Sequence, residues 1–255
     1  MPVALVTGGN RGIGFEVCRR LGRLGYAVLL GARDLAKGEE AAALLNREGL
    51  NASALELDVA NEENVARLGE LERVDALINN AAIAPDRAHP DTSALHVPAE
   101  LVRLGFETNT LGPYRICQQV VPIMQHHGYG RIVNVASGMA QLSEMNGHSP
   151  GYRLSKTALN ALTRILADGS QGLRNSSYQL ICFFSLKKPP VGPTSGSVAA
   201  QTIVSAPCSG VSGAAGPPIS VLTQPGSTEL TRMFIPFSSS ARMRVSAFSA
   251  VLDSR

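Results

Sequence analysis

Short apolar segments alternate with segments of helical period over the first two thirds of the chain. The apolar segments predict strands over residues 2–7, 26–32, 52–59, 74–80 and 130–137. Segments whose apolar residues recur every three or four positions predict helices over residues 12–25, 35–49, 62–73, 100–125 and 150–168. Strands that are apolar on both faces and alternate with helices are typical of a parallel sheet covered by helices. The pattern therefore predicts an α/β fold with a doubly wound parallel sheet and helices on both faces.

The last third of the chain has a different composition. Residues 169–255 contain 17 Ser, 8 Gly and 8 Pro but only two acidic residues, and they show no clear helical period. Such a composition is typical of loops or disorder. The apolar run at 177–186 is the exception and favours a buried strand. We predict a core over residues 1–168 and an atypical Ser/Gly/Pro-rich tail over 169–255.

Composition narrows the class of protein. The chain has 255 residues, which is enough to bury a sizeable core without disulfides. Its net charge is +3, but residues 1–168 carry 16 Lys and Arg against 18 Asp and Glu, so the basic excess lies in the tail. An aromatic share of 5% with no Trp argues against a binder of single-stranded nucleic acid. We expect no nucleic-acid partner.

Cysteine spacing and apolar run lengths bear on the cellular compartment. The cysteines are far apart in sequence and form no CxxC pair: Cys18, Cys117, Cys182 and Cys208. Reduced thiols in a cytoplasmic protein are the simplest interpretation. No apolar run approaches the ~20 residues of a membrane span, and the N-terminal run is too short for a signal peptide. We expect a cytoplasmic protein without a membrane partner.

A glycine-rich segment, VTGGNRGIG, connects the first predicted strand to the first helix. Gly8, Gly12 and Gly14 lack Cβ atoms, which allows a tight turn and a close approach of the backbone to a pyrophosphate at the helix N-terminus. The spacing differs from the GxGxxG dinucleotide fingerprint. A glycine-rich turn without a ligand gives the same pattern, but the strand–helix context favours dinucleotide binding.

Two further segments contain candidate catalytic groups. Tyr152 and Lys156 are four residues apart, so on a helix they share one face. A nearby cation favours the phenolate form of a tyrosine and so suits it to acid–base chemistry, although such pairs are also common on helix surfaces. Ser137 ends the fifth predicted strand, at the edge where parallel sheets bind ligands, and its hydroxyl suits a substrate carbonyl. Ser143 and Ser149 are alternatives that do not end a strand.

These motifs together resemble the short-chain dehydrogenase/reductase family. TGGNRGIG resembles the family's TGxxxGxG loop, and Asp58-Val59, NNAA at 79–82, Asn109 in TNTLG and the YxxxK motif at 152–156 follow in family order. The resemblance extends from residue 2 to about residue 168. It implies a Rossmann-like fold and an NAD(P)-dependent oxidoreductase that acts on a small carbonyl or alcohol substrate.

The resemblance also implies roles for individual residues. The catalytic residues implied are Asn109, Ser137, Tyr152 and Lys156. Tyr152 is expected to donate a proton to the carbonyl oxygen, Lys156 to hold the nicotinamide ribose, and Asn109 to keep a proton-relay water in place. The cofactor-binding residues implied are Gly8, Asn10, Arg11, Gly12, Ile13, Gly14, Arg33, Asp58, Val59, Asn80, Ala81, Tyr152 and Lys156.

No metal site is predicted. The histidine pair His126-His127 and His148 have no acidic or cysteine residues at metal-ligand spacing. His89 and His96 lie in the loop after the fourth strand, which in the family borders the substrate pocket. His89 and His96 are therefore candidates to line that pocket, although most loop histidines have no specific role, whereas His126, His127 and His148 are interpreted as solvated side chains.

The residues after the second strand bear on the choice of cofactor. An acidic residue there binds the ribose 2′-hydroxyl of NAD, whereas an arginine pairs with the 2′-phosphate of NADP. The sequence has Arg33 followed by Asp34, with Arg11 in the glycine loop as a second cation. NRGIG with AR is similar to the NADP-dependent carbonyl reductases. We predict NADP, and the alternative is that Asp34 faces the ribose of NAD.

Beyond residue 168 the chain departs from the family pattern. There the family has a sixth strand ending in Pro-Gly, a substrate loop, a further helix and a seventh strand. The run 177–186 is a candidate for the sixth strand, but the rest of the series is not recognisable. The tail is either an unrelated sequence joined to the core, as an altered reading frame or retained intron gives, or an extension that rebuilds the missing layer. Its composition favours the first.

Two functions follow from this departure. The first is NADPH-dependent reduction of a carbonyl, or oxidation of a secondary alcohol, with Tyr152 as the acid and base. The alternative is a catalytically incompetent protein of the same family that binds a nucleotide, because the region of the substrate loop does not match. The sequence fixes neither the substrate nor the oligomeric state.

Overall fold

The chain folds around a central β-sheet. The computed structural model describes residues 1–169, 177–183 and 202–204. Its strands are β1 Val3–Thr7, β2 Ala27–Ala32, β3 Ala52–Glu56, β4 Ala76–Asn79, β5 Tyr129–Val135, β6 Ser177–Phe183 and β7 Thr202–Val204. Their order across the sheet is β3-β2-β1-β4-β5-β6-β7. Each neighbouring pair from β3 to β6 is parallel, and β7 runs antiparallel to β6.

Helices cover both faces of this sheet. They are α1 Gly12–Arg23, α2 Leu35–Arg47, α3 Glu62–Ala66, α4 Ala99–Phe106, α5 Gly112–His126 and α6 Pro150–Gly169. In β1, Val6 packs in one apolar cluster with Leu21 of α1, and the adjacent Leu5 packs in a second cluster with Ile116 of α5. Successive strand residues point to opposite faces, so each face needs its own layer of helices. The predicted doubly wound α/β fold is confirmed.

Some element boundaries differ from the predictions. The predicted helix over 62–73 ends as α3 at Ala66 and continues as a 3-10 turn over Arg67–Glu70. Gly69 lies in this turn, and glycine weakens an α-helix. The predicted fifth strand ends at Val135, so Ser137 lies two residues beyond the strand and begins a 3-10 turn over Gly138–Ala140.

The apolar run in the predicted tail joins the sheet. Residues 177–183 form β6, which pairs in parallel with β5 from Tyr129↔Ser177 to Val135↔Phe183. The prediction of a strand is confirmed for these residues, whereas the short β7 was not predicted. Most of the predicted tail lies outside the described residues, and the boundary at residue 168 stays a prediction.

The strand order reverses between β1 and β4, and polar contacts join the loops that follow these two strands. The hydroxyl oxygen of Thr7 accepts hydrogen bonds from the backbone N–H groups of Asn80 (3.0 Å) and Ala81 (2.9 Å). The side-chain amide of Asn80 donates to the carbonyl oxygens of Thr7 (3.0 Å) and Gly8 (3.1 Å). At such a reversal the chain connections on the two sides lead to opposite faces of the sheet. This leaves a crevice at the carboxyl edge of the sheet, where ligands bind.

A chain of buried polar side chains attaches α6 to the sheet. Asn79 of β4 donates from Nδ2 to Oδ1 of Asn134 in β5 (2.8 Å). Asn134 donates in turn from Nδ2 to Oγ1 of Thr163 in α6 (2.9 Å). These three side chains are at most 2% exposed. Buried polar groups favour a geometry in which they are paired, so the chain fixes where α6 lies.

The N-terminus of α6 is held by a carboxylate from the loop after β4. Asp86 lies in a 3-10 turn over Pro85–Ala88 and is 0% exposed. Its Oδ2 accepts hydrogen bonds from the backbone N–H groups of Gly151 (2.8 Å) and Tyr152 (3.2 Å). An anion at a helix N-terminus also interacts favourably with the helix dipole.

The core contains two cysteines among the described residues. Cys18 and Cys117 are unpaired and buried. Burial raises the pKa of the Cys117 thiol to about 12, against a smaller lowering by its hydrogen bond from Asn79. Among the described helices, none combines the length and the hydropathy that crossing a membrane demands.

We predict that Asp86→Ala lowers the free energy of unfolding by about 1–3 kcal/mol, because one buried and one partly buried N–H group of α6 lose their acceptor. Asp86→Asn keeps an oxygen acceptor and should lose clearly less. Chemical denaturation followed by circular dichroism measures both values, with Glu39→Ala on the exposed side of α2 as the control. Equal losses for the two Asp86 variants would contradict the capping role.

Candidate active site

Most of the predicted site residues lie at one edge of the sheet. Because the strands from β3 to β6 are parallel, their carboxyl ends meet at the same edge. The predicted residues follow those ends in turn: Gly8, Asn10, Arg11, Gly12, Ile13 and Gly14 after β1, Arg33 after β2, Asp58 and Val59 after β3, Asn80 and Ala81 after β4, and Ser137 after β5. The remaining predicted residues, Asn109, Tyr152 and Lys156, lie on helical segments.

A cleft of about 340 Å³ opens at this edge. Its lining residues are Ile13, Asn80, Ala82, Arg87, Val135, Ala136, Ser137, Tyr152 and Lys156. The structure therefore brings together the predicted Ile13, Asn80, Ser137, Tyr152 and Lys156. The sequence analysis missed the others; Ala82 is part of the NNAA motif, but no local pattern marks Arg87.

The glycine loop has the geometry of a site for an anion. Gly8 (φ 62°) and Gly12 (φ 59°) adopt the left-handed conformation that side chains disfavour. A Cβ on Gly14 would lie 2.2 Å from the carbonyl oxygen of Gly8, so only glycine allows this turn. Helix α1 begins at Gly12 without a side-chain cap and without an acidic residue in its first turn. An uncapped helix N-terminus suits a pyrophosphate.

Lys156 is a buried cation that lines the cleft. It is 2% exposed, and its Nζ donates a hydrogen bond to the carbonyl oxygen of Val135 at 2.7 Å. Because Val135 is the last residue of β5, this bond fixes the ammonium group at the carboxyl edge of the sheet. Tyr152 lies one helical turn before Lys156 and also lines the cleft.

Ser137 presents its hydroxyl to the same cleft. It is 6% exposed, and its Oγ accepts a hydrogen bond from the backbone N–H of Met139 at 3.2 Å. A hydroxyl that accepts one hydrogen bond still has a proton to donate. The alternatives, Ser143 and Ser149, do not belong to the residues that line this cleft.

Asn109 is fully buried in a π-helical turn, Glu107–Leu111, between α4 and α5. Its Nδ2 donates to the carbonyl oxygen of Ile83 (2.8 Å) and to Oγ of Ser155 (2.9 Å). Its Oδ1 accepts from the backbone N–H of Ile83 (2.9 Å). The side chain therefore lies behind the cleft and connects the loop after β4 with α6.

The charged residues near the end of β2 differ in whether they have a partner within the protein. Asp34 caps α2 by accepting a hydrogen bond from the backbone N–H of Lys37 (3.2 Å), and it pairs with Nζ of Lys37 (2.8 Å). The Lys37 side chain is the main cause of a lowered pKa for Asp34, followed by the Lys37 backbone N–H. Arg33 and Arg11 are exposed and have no ion-pair partner among the described residues. The carboxylate is therefore engaged, whereas the two guanidinium groups are available to an anion.

The two predicted residues after β3 shape the next loop. Asp58 accepts a hydrogen bond at Oδ1 from the backbone N–H of Ala60 (3.0 Å), and its own N–H donates to Oδ1 of Asn64 (3.1 Å). Val59 is buried and lies against Gly112 at the start of α5, where a Cβ would meet the Val59 carbonyl oxygen at 2.8 Å. These contacts hold the loop after β3 against α3 and against the start of α5.

Within residues 1–169 and the two described strands beyond them, no group of three or more His, Cys, Asp and Glu side chains is placed to hold a metal ion. The His126 and His127 rings contact each other edge to face, with centroids 5.1 Å apart. Nδ1 of His148 lies 3.1 Å from Oγ1 of Thr92, in the loops near the start of α6.

Known proteins resemble part of this chain in sequence. Carbonyl reductase 1 (NADPH) of Sus scrofa is 38% identical over 150 residues, which cover 56% of this chain and 50% of that protein. (+)-Neomenthol dehydrogenase of Arabidopsis thaliana is 35% identical over 166 residues, with coverage of 56% and 55%. The chain thus spans about half the length of these curated relatives.

Solved structures and a family model extend the comparison. An alcohol dehydrogenase from the archaeon Thermococcus sibiricus, complexed with 5-hydroxy-NADP, is 27% identical, with a TM-score of 0.60 and coverage of 70% of this chain and 74% of that chain. The family model described as short chain dehydrogenase matches residues 2–173. This match covers most of the chain and includes the glycine loop and the helix of Tyr152 and Lys156. The chain therefore belongs to the short-chain dehydrogenase family.

Proposed function

We propose that the protein reduces a carbonyl compound with NADPH, or oxidises a secondary alcohol in the reverse direction. The observation that carries this proposal is that Ser137, Tyr152 and Lys156 line one cleft together with Ile13 and Asn80 from the dinucleotide end. Relatives named as NADPH carbonyl reductases and a structural neighbour complexed with an NADP derivative support it.

Tyr152 and Ser137 act on the oxygen of the substrate carbonyl. Tyr152 donates its phenolic proton to that oxygen, and the Ser137 hydroxyl donates a hydrogen bond to it as negative charge develops. NADPH, when bound, supplies the hydride for the carbonyl carbon. In alcohol oxidation the Tyr152 phenolate takes the proton back.

Lys156 favours the charge that this proton transfer creates. A cation one helical turn from Tyr152 stabilises its phenolate. Because Lys156 is 2% exposed, water screens its charge less than it screens a surface lysine. The bond to the Val135 carbonyl oxygen keeps the ammonium group facing the cleft.

The chain's own residues fit NADPH better than NADH. The uncapped start of α1 receives the pyrophosphate, and Arg33 with Arg11 receives the 2′-phosphate. Asp34, which the NAD alternative requires at the ribose, is engaged with Lys37 of its own helix. The fit therefore favours NADP as the cofactor.

Asn109 serves as a positioning residue in this proposal. Its contacts with Ile83 and Ser155 fix the loop after β4 relative to α6, which carries Tyr152 and Lys156. The proton-relay water expected beside Asn109 stays a prediction.

We predict that Tyr152→Phe lowers carbonyl-dependent NADPH consumption by about 10²–10⁴-fold, because the proton donor is lost. Binding of NADPH, followed by its fluorescence, should remain. Tyr114→Phe, at a half-exposed tyrosine of α5, is the matched control and should keep activity. Turnover that survives in Tyr152→Phe would refute the role of Tyr152, and NADPH binding without turnover in the wild type would favour the catalytically incompetent alternative.

We also predict that the wild type prefers NADPH and that Arg33→Ala lowers its NADPH/NADH preference in kcat/KM by about tenfold, because a charged hydrogen bond to the 2′-phosphate is lost. Arg47→Ala, another exposed arginine at the end of α2, should leave the ratio unchanged. A wild type that prefers NADH, or a ratio that Arg33→Ala does not alter, would contradict this assignment.

A further inference from the structure

A cation from the loop after β4 stands at the cleft beside Tyr152. Arg87 lies in the 3-10 turn Pro85–Ala88 and lines the cleft. The central carbon of its guanidinium group lies 5.5 Å from the centroid of the Tyr152 ring, over one face. Its Nη2 lies 3.5 Å from Sδ of Met139, in the turn that follows Ser137. The guanidinium group thus lies between the Tyr152 ring and Met139, next to the turn that begins at Ser137.

The turn that carries Arg87 is fixed to the helix that carries Tyr152. The adjacent Asp86 is buried and accepts hydrogen bonds from the backbone N–H groups of Gly151 and Tyr152. Arg87 and Tyr152 therefore belong to one connected unit. This attachment holds the backbone at Arg87 close to the first turn of α6, within reach of the Tyr152 ring.

Arg87 has no acidic partner among the described residues, although other arginines of the same chain do. Arg73 pairs with Asp75 at 2.8 Å, and Arg19 pairs with Glu48 at 2.9 Å. Among the described residues that line the cleft there is no Asp or Glu, and the charged ones are Arg87 and Lys156. A concave site lined by charges of one sign attracts ligands of the opposite sign.

We propose that Arg87 binds the carboxylate of the substrate, so that the enzyme prefers carbonyl compounds that carry a carboxylate group. This inference rests on the proposed function and adds the substrate class to it. A guanidinium group presents parallel N–H donors that match the two oxygens of a carboxylate. Its place beside Tyr152 and the turn after Ser137 puts the carboxylate next to the carbonyl that these two residues receive.

The experiment compares each acid with its uncharged amide of nearly the same shape. The substrates are 4-formylbenzoate with 4-formylbenzamide, and 2-oxo-2-phenylacetate with its amide, which differ in the spacing between carbonyl and carboxylate. For each pair, kcat/KM with NADPH is measured for the wild type, Arg87→Gln and Arg87→Lys. Arg164→Gln is the matched control, since this exposed arginine lies on the same helix as Tyr152 but about 18 Å further along its axis.

We expect the wild type to prefer the acid of at least one pair and Arg87→Gln to lower that acid/amide ratio by about five- to tenfold, mainly through KM. Arg87→Lys should retain part of the preference, Arg164→Gln should retain all of it, and added salt should reduce it because the site is open to solvent. A ratio that Arg87→Gln does not change overturns the inference. A weaker affinity of Arg87→Gln for NADPH, in proportion to the loss, also overturns it, because Arg87 would then serve the cofactor.

A binding measurement separates this inference from the proposed function. Benzoate and benzamide are compared by ligand-observed NMR on the protein with NADP⁺, without any turnover. Benzoate binding that is lost in Arg87→Gln supports the anion site even if no carbonyl compound is reduced, in which case the proposed function alone fails. Equal binding of benzoate by the wild type and Arg87→Gln refutes the anion site.

Discussion

The attachment of α6 to the sheet through buried polar bonds is the constraint on which the cleft depends. Lys156 bonds to the end of β5, and Thr163 bonds to Asn134 within the core. Each of these groups is almost fully removed from water, so losing its partner leaves an unsatisfied polar group or charge at a cost of about 1–3 kcal/mol or more. Because Tyr152 lies on the same helix, these bonds set its distance from the sheet edge.

The loop after β4 is constrained in the same way and forms the facing wall. Asn80 connects its beginning to the glycine loop, and Asp86 connects its middle to the first turn of α6. The loop after β4 thereby lines the cleft in two places, next to the glycine loop at Asn80 and next to α6 at Arg87. The bonds of Asn80 and Asp86 restrain the loop at both of these places.

The sequence predicts the features that depend on local patterns, and it does not predict those that depend on contacts between distant residues. The strands and helices up to residue 168 follow from apolar runs and helical periods, and the motif residues Ser137, Tyr152 and Lys156 are found together at one edge, as expected. The contacts of Asp86 and Arg87 have no local signature, because both residues contact α6, about 65 residues further along the chain. Spacing alone likewise does not reveal that the helix after Asn61 changes to a 3-10 turn at Arg67 or that Asn109 bonds to Ile83.

The hydrogen bonds of Asn109 have a consequence for ligand binding. Its side-chain amide both donates to and accepts from the backbone of Ile83, as a neighbouring strand does, so the loop after β4 has a strand-like partner although it lies outside the sheet. The backbone at Ile83 is therefore ordered when the chain folds, and a ligand that enters does not have to order it. A preorganised wall of this kind leaves more of the interaction free energy available for affinity, which matters most for small ligands that make few contacts.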